Sequence, residues 1–371
     1  MTAFDAIVLG GGMAGVSIGY ELAVDRRVVV LDMEATLAFH TTGRSAAMFL
    51  ETYGGPPVRA LTVASRSTFD EPADERLLRP LPILHIGLLG HGEAIAQLHR
   101  DVSSLVPDVE LLSPADASAL QPLLRPERIE IALHEPGAME IDVHALHQTY
   151  VRGLRRRNGA IAVSARITAA RADARTWTVV DAAGRSWQAP LVVNAAGAWA
   201  DQVAALFDAA PIGLQPLRRT AFMVDAPPAA GPPMFGDIPD TFYVKPDAGQ
   251  LLCSPADETP QAPGDARPDE LEIARAIDAI NDTTTLDVRH VRSSWAGLRS
   301  FVADRTPVVG FDPSVPGLFW CAGQGGYGIQ TAPALARAGA ALARGEALPA
   351  DIAALGCAAR SLAPGRAALR S

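Results

Sequence analysis

Ala6-Ile7-Val8-Leu9-Gly10-Gly11-Gly12-Met13-Ala14-Gly15 is the stretch from which the fold can be read. Four consecutive apolar residues at 6–9 suit a strand buried on both faces of a parallel sheet. Ala14, Ile18 and Leu22 recur at helical spacing over 14–24, and Val28 to Leu31 forms a second apolar run. Strand, glycine turn, helix and strand make one βαβ unit. Within it Gly10, Gly12 and Gly15 fit G-x-G-x-x-G in the context that this fingerprint requires. Gly10 permits the tight turn, Gly12 lets backbone approach a pyrophosphate, and Gly15 lets helix and strand pack closely. The helix then turns free N–H groups and its positive dipole end toward the phosphates. Asp32 closes the second strand, where a carboxylate accepts from ribose hydroxyls. A dinucleotide site is predicted. The motif alone leaves FAD and NAD open.

The chain has 371 residues, enough for one large or two intimate domains. Hydrophobic residues make up 49% and charged residues 20%, as in an ordinary globular protein. Lysine plus arginine number 32 against 41 acidic residues, a net charge of −9 that offers nothing to nucleic acid or an anionic membrane. The N-terminus carries Asp5 where a signal peptide would be apolar, and no apolar run of about 18 residues predicts a membrane span. Cys253, Cys321 and Cys357 are widely spaced without metal-ligand spacing, so buried thiols in a reducing cytoplasm are expected, with no metal.

Further along, 161–163, 167–169 and 177–180 read as short antiparallel strands. A buried strand at 191–193 runs into Asn194-Ala195-Ala196-Gly197. A helix is expected at 268–281. A strand at 318–322 leads into a glycine cluster and an alanine-rich helix at 332–344. Glu140 and Asp142 would share one face of a strand and repel. His85, His91 and His99 lack an acidic partner at ligand spacing, which predicts solvent or packing roles. There is no Ser/His/Asp or Cys/His constellation.

Four segments carry a resemblance: His40-Thr41-Thr42-Gly43-Arg44-Ser45-Ala46-Ala47, Val192 to Trp199, Trp295-Ala296-Gly297-Leu298-Arg299-Ser300, and Gly323 to Gln330. In order and spacing they are similar to the D-amino-acid oxidase-like family of flavoproteins, nearest its D-arginine dehydrogenase and glycine oxidase branches. The resemblance implies an α/β fold: a Rossmann-like FAD domain of the glutathione-reductase type and a substrate domain on a mixed β-sheet. The expected segments are 1–80, 140–215 and 295–371 for FAD, and 81–139 and 216–294 for substrate. Flavin contacts at both ends of the chain favour FAD over an NAD-dependent dehydrogenase. The implied contacts are Gly10, Gly12, Met13, Ala14 and Gly15; Asp32 and Met33; Thr41, Thr42, Arg44, Ser45, Ala46 and Ala47; Ile167. Further ones are Ala195, Ala196, Gly197 and Trp199, then Gly325, Gly326, Tyr327, Gly328, Ile329 and Gln330. The usual covalent attachment patterns are missing near His40, so FAD is expected to be non-covalent.

The family's chemistry implies oxidation of an amino acid C–N bond, with hydride passing from Cα to flavin N5 and the imine hydrolysing in water. Oxygen or a quinone would then reoxidise the flavin. FAD-dependent oxidation of a 2-hydroxy acid is the alternative within flavin chemistry. A carboxylate clamp calls for arginine, whose planar fork meets both oxygens. Arg299 and Arg219 match the clamp positions, and Tyr53 and Tyr243 match tyrosines that bond or cover the substrate. Two departures stand out. Members selecting a cationic side chain have a glutamate where Ile83 stands, and a histidine where Met48 stands. An apolar side-chain pocket of Met48, Leu50 and Ile83 is therefore expected, since an aliphatic residue cannot offset desolvation of a guanidinium. Such a pocket suits a hydrophobic D-amino acid or an N-substituted glycine, and disfavours D-arginine and D-lysine.

Overall fold

The computed structural model describes residues 2–70, 76–173, 175–228 and 230–369. Ala6–Leu9 lies inside a six-stranded sheet, ordered Ala160–Ala162, Val28–Leu31, Ala6–Leu9, Leu191–Asn194, Leu318–Ala322, Val308–Phe311. The first five run parallel and the last antiparallel. Ala6 and Val8 pack on one face with Ile18, Leu22 and the helix Ala332–Ala343. Ile7 and Leu9 pack on the other with Trp177, Phe207 and Trp320. Layers on both faces explain why these strands lack polar alternation.

The segment expected as an antiparallel strand near 161–163 instead adds a parallel edge strand, Ala160–Ala162, beside Val28–Leu31. Three apolar residues carry no information about direction; the helix Val143–Arg156 that precedes them does, because it returns the chain as a crossover. Ile167–Asp173 and Thr176–Asp181 are antiparallel as expected.

The second sheet is mixed. In space it runs Thr259–Pro260, Gln215–Asp225, Gln250–Ser254, Tyr243–Asp247, Met234–Asp237, Ile83–Leu88, Ile129–Glu135, Glu110–Leu112. Ser293–Phe301 also pairs with Gln215–Asp225, along nine residues of register. Residues 295–301, grouped by sequence with the cofactor segments, thus hydrogen-bond into the second sheet. The helix Glu270–Thr283 packs on it through Ile273, Ala276 and Ile280. All three cysteines are buried. Among the described residues no helix is long and apolar enough to cross a membrane, and no group of three metal-ligating side chains occurs.

Glu140 and Asp142 do not repel on a shared face. Glu140 pairs with the buried Lys245, while Asp142 accepts from Ala145 N at 2.8 Å as N-cap of the helix Val143–Arg156. A capping role needs only the residue just before the helix, which a reading as strand obscured.

Candidate active site

The glycine turn is shaped by contacts that tolerate no Cβ. Gly10 has φ +111°, and a Cβ there would lie 2.3 Å from the Ala195 carbonyl oxygen. A Cβ on Gly15 would lie 1.8 Å from the Gly10 carbonyl oxygen. Asp32 closes the loop from below: Oδ2 accepts from Gly11 N at 2.6 Å and Oδ1 from Glu34 N at 2.8 Å. Burial holds the Asp32 carboxyl above the usual carboxylate range, with those two hydrogen bonds opposing it. From above, Thr42 Oγ1 accepts from Met13 N at 3.0 Å. His147, absent from the sequence expectations, donates from Nε2 to the Gly11 carbonyl at 2.9 Å. Burial pushes its pKa down, so the neutral ring makes this bond.

Three cavities run end to end. The first, about 300 Å³, is lined by Gly10 to Gly12, Asp32, Met33, Ile167, Ala195, Ala196, Gly197 and Trp199. His40 also faces it, held 2.9 Å from Glu34 and 4.6 Å from the Trp199 ring centroid. Its Nδ1 is buried without a partner among the described residues, a hydrogen-bonding capacity left for a ligand. The second cavity, about 140 Å³, shares Gly12, Thr41, Thr42, Ala195 and Gly197 with the first. It continues along Met13, Ala14, Arg44, Ser45, Ala46, Gly325, Gly326, Gly328 and Ile329.

One strand stitches the two chain ends to this trough. Thr41 Oγ1 donates to the Leu298 carbonyl at 2.7 Å, and Trp295 Nε1 to the Arg44 carbonyl at 3.0 Å. Arg44 turns its guanidinium away, to Asp265 and the carbonyls of Ala266 and Ala296. Two residues beyond Leu298, the Ser300 carbonyl accepts from Gly325 N at 2.9 Å. Ser293–Phe301 therefore carries the 41–46 loop and the C-terminal glycine loop on one ruler.

The third cavity, about 260 Å³, shares Ser45, Ala46, Arg219, Tyr243, Arg299, Gly326 and Ile329 with the second. Arg219 and Arg299 reach it from neighbouring strands, in register at Leu217↔Arg299 and Arg219↔Gly297. Their states differ. Arg219 is buried, its Nη2 3.2 Å from Glu258 and 3.3 Å from Asp240, with Nε lacking a partner among the described residues. Arg299 donates from Nη1 to the Tyr53 hydroxyl at 3.2 Å and has no ion-pair partner among the described residues. Burial by itself would lower the Arg299 pKa, but Tyr53, Tyr243, Asp240 and Glu258 outweigh it and the group stays charged. A Cβ on Gly326 would lie 3.0 Å from Arg299 Nη1, so backbone there comes close only because it is glycine.

Met48, Leu50 and Ile83, expected to form the side-chain pocket, line this third cavity together with Met234 and Ala47. Gln330 also lines it and brackets Leu50, accepting from its N–H and donating to its carbonyl, both at 3.2 Å. Two expected cofactor contacts lie elsewhere. Gly15 lines none of the three cavities and serves packing. Tyr327 is buried behind the glycine loop, edge-on to Tyr53 at 5.0 Å and Phe301 at 5.8 Å. A glycine on each side lets the loop present backbone while the tyrosine anchors it from behind. His85, expected to pack or face solvent, lines the third cavity beside Thr52, Nε2 to Oγ1 3.3 Å. Arg59, Asp237 and Asp240 line it too, and no local sequence pattern marks them.

Residues 5–342 match the DAO family model, described as FAD dependent oxidoreductase. The chain belongs to that family. Glycine oxidase of Geobacillus kaustophilus (strain HTA426) is 25% identical over 346 residues, spanning 89% of this chain and 90% of that protein. The crystal structure of glycine oxidase from that organism superposes with a TM-score of 0.83 at 20% identity, covering 93% and 96% of the two chains. L-Proline dehydrogenase from P. horikoshii gives 0.82 at 18% identity, covering 94% and 96%.

The family expected from the four sequence segments is the one found, and this DAO member is an FAD-dependent oxidoreductase of the amino acid oxidase and dehydrogenase group. The trough fits the cofactor. It offers a carboxylate and an open His40 nitrogen in its first part, and the Thr42 hydroxyl with the start of the helix at Met13 and Ala14 where it narrows. In the last part, glycine backbone lies against a guanidinium. Gly10 to Ala14, Asp32, Thr42, Gly325, Gly326, Gly328 and Ile329 are the residues that would hold FAD.

Proposed function

We propose that this enzyme oxidises the C–N bond of a carboxylate-bearing amine, either a D-amino acid or an N-substituted glycine with an apolar stretch beside the reacting carbon. What carries the reading is Arg299: a charged guanidinium facing a cavity, bonded to Tyr53 and lacking a carboxylate of its own among the described residues. A half-buried cation without a counter-ion is costly, and a substrate carboxylate supplies one in bidentate geometry. Bound FAD supplies the two-electron acceptor for this chemistry. The chain's own residues bind and orient. Arg299 fixes the carboxylate, Tyr53 holds the plane of the guanidinium, and Tyr243 borders the junction of the second and third cavities. Met48, Leu50 and Ile83 exclude water from the carbon chain. An amine bound in neutral form needs no side-chain nucleophile, and the imine product hydrolyses on release.

We take FAD to be held non-covalently, and the second sheet with 81–139, 216–294 and the strand Ser293–Phe301 to form the substrate unit. Acid precipitation should leave the flavin in the supernatant. For the reaction, purified enzyme mixed anaerobically with D-leucine, D-phenylalanine and N-alkylglycines should bleach its flavin absorption. Faster bleaching by D-arginine than by D-leucine, or by 2-hydroxy acids alone, would overturn the reading. Readmitting oxygen or a quinone then identifies the acceptor by which one restores the colour.

A further inference from the structure

The third cavity contains more charge than the oxidation of a simple hydrophobic amine requires. Three arginines and two aspartates line it. Both aspartates are committed. Asp237 accepts from Thr241 N, Thr241 Oγ1 and Phe242 N, and Asp240 pairs with Arg219. Arg219 is thereby neutralised, and Glu258 adds to it. Arg299 awaits the carboxylate next to the reacting carbon. Arg59 remains. It projects from the first turn of the helix Pro56–Asp70, and its guanidinium is bonded among the described residues only to the Thr52 carbonyl, from Nε at 3.0 Å. Among the described residues no carboxylate pairs with it. Burial lowers its pKa, and Asp101, too far away for an ion pair, only partly offsets this. Beside it on the same wall, His85 adds an imidazole 3.3 Å from the Thr52 hydroxyl and 3.9 Å from the buried Glu135, whose Oε2 takes the Thr52 Oγ1 proton at 2.5 Å.

We infer that Arg59, on the wall it shares with His85, is a second anion subsite of the substrate cavity, so that the substrate carries an oxyanion at the end remote from its reacting carbon as well as the carboxylate on Arg299. This rests on the proposed reading of the site and narrows it. Met48, Leu50 and Ile83 become the wall along a short apolar spacer between two anionic ends. The substrate class is then a D-amino acid or N-substituted glycine ending in a carboxylate or phosphonate. A second bidentate arginine explains an apolar middle with cations on the same cavity, which a purely hydrophobic side chain would leave unpaired.

The test uses the FAD-loaded enzyme and ligands that cannot be oxidised, so that binding is read apart from turnover. Perturbation of the flavin spectrum is titrated with glutarate, with 3-phosphonopropanoate and with pentanoate, for wild type, Arg59→Leu, Arg59→Gln and Arg59→Lys. Wild type should bind one or both dianions at least about tenfold more tightly than pentanoate, a difference of about 1.4 kcal/mol. Arg59→Leu and Arg59→Gln should lose that preference and Arg59→Lys should keep part of it. The stronger of the two dianions tells carboxylate from phosphonate. Equal binding of pentanoate and both dianions by wild type, or a preference unchanged in whichever neutral variant folds, overturns the subsite. If the preference is present and abolished by the variants, yet neither D-glutamate nor N-(2-carboxyethyl)glycine bleaches the flavin, the subsite stands and the proposed oxidation falls.

Discussion

The two ends of the trough are built in opposite ways. At the dinucleotide end, the phosphate-facing turn and its carboxylate come from one βαβ unit: Gly10 to Ala14 on a strand–helix turn and Asp32 on the next strand, linked by a 2.6 Å bond from Gly11 N. Backbone does the work, and side chains are kept out by approaches of 1.8 and 2.3 Å to where a Cβ would sit. At the substrate end the side chains matter, and they come from distant parts of the chain. Tyr53 meets Arg299 across 246 residues, and Arg219 meets Glu258 and Asp240 from a neighbouring strand. A site made of backbone constrains its sequence locally and tightly. One made of converging side chains leaves each residue looking ordinary in its own neighbourhood.

Several substitutions would break or sharpen that contrast. Arg299→Ala should cost about 2–5 kcal/mol in kcat/KM, read by anaerobic flavin reduction, with the flavin itself retained. Loss of FAD instead would mean that Arg299 belongs to the cofactor end. Gly15→Ala should act in the reverse sense. Forced against the Gly10 carbonyl, it should destabilise the loop by about 1–3 kcal/mol and weaken FAD binding, seen as apoenzyme in the absorbance spectrum. Arg219→Met should fall below Arg299→Ala, near tenfold or about 1.4 kcal/mol in kcat/KM, because Asp240 and Glu258 already neutralise it. A loss equal to that of Arg299→Ala would make the two arginines one clamp.

The smallest effect concerns His147. Its folded pKa is depressed below the usual 6.5, so the unfolded chain takes up the proton first as pH falls. Its contribution is complete above the unfolded value and is lost on acidification through the window below it. The slope is at most about 1.4 kcal/mol per pH unit. In His147→Gln, which keeps a donor for the Gly11 carbonyl, thermal unfolding of the apoenzyme should lose that part of its pH dependence between about 6.5 and the depressed value. An unchanged profile would place the acid sensitivity elsewhere.

The first βαβ unit was legible because its cause is local: the apolar run at 6–9, the three glycines and Asp32 each answer to a neighbour within one supersecondary unit. The apolar lining by Met48, Leu50 and Ile83 was legible through what those positions lack. Ala160–Ala162 was misjudged because a three-residue apolar run does not encode which strand it joins. Tyr327, which its glycine loop suggests for the cofactor, packs its ring against Tyr53 and Phe301. His147, Arg59 and His85 gave no signal at all. A lone histidine or arginine on a helix or strand reads as surface until its neighbours in space are known.

The amino-acid sequence by itself determined that this chain winds a dinucleotide fold around Gly10 and Asp32, because hard-sphere contacts and strand–helix periodicity act over a few residues. Only the tertiary structure decided which arginines keep a free guanidinium. That depends on whether a carboxylate from another part of the chain arrives within an ion-pair distance, as it does for Arg219 and does not for Arg299 and Arg59 among the described residues.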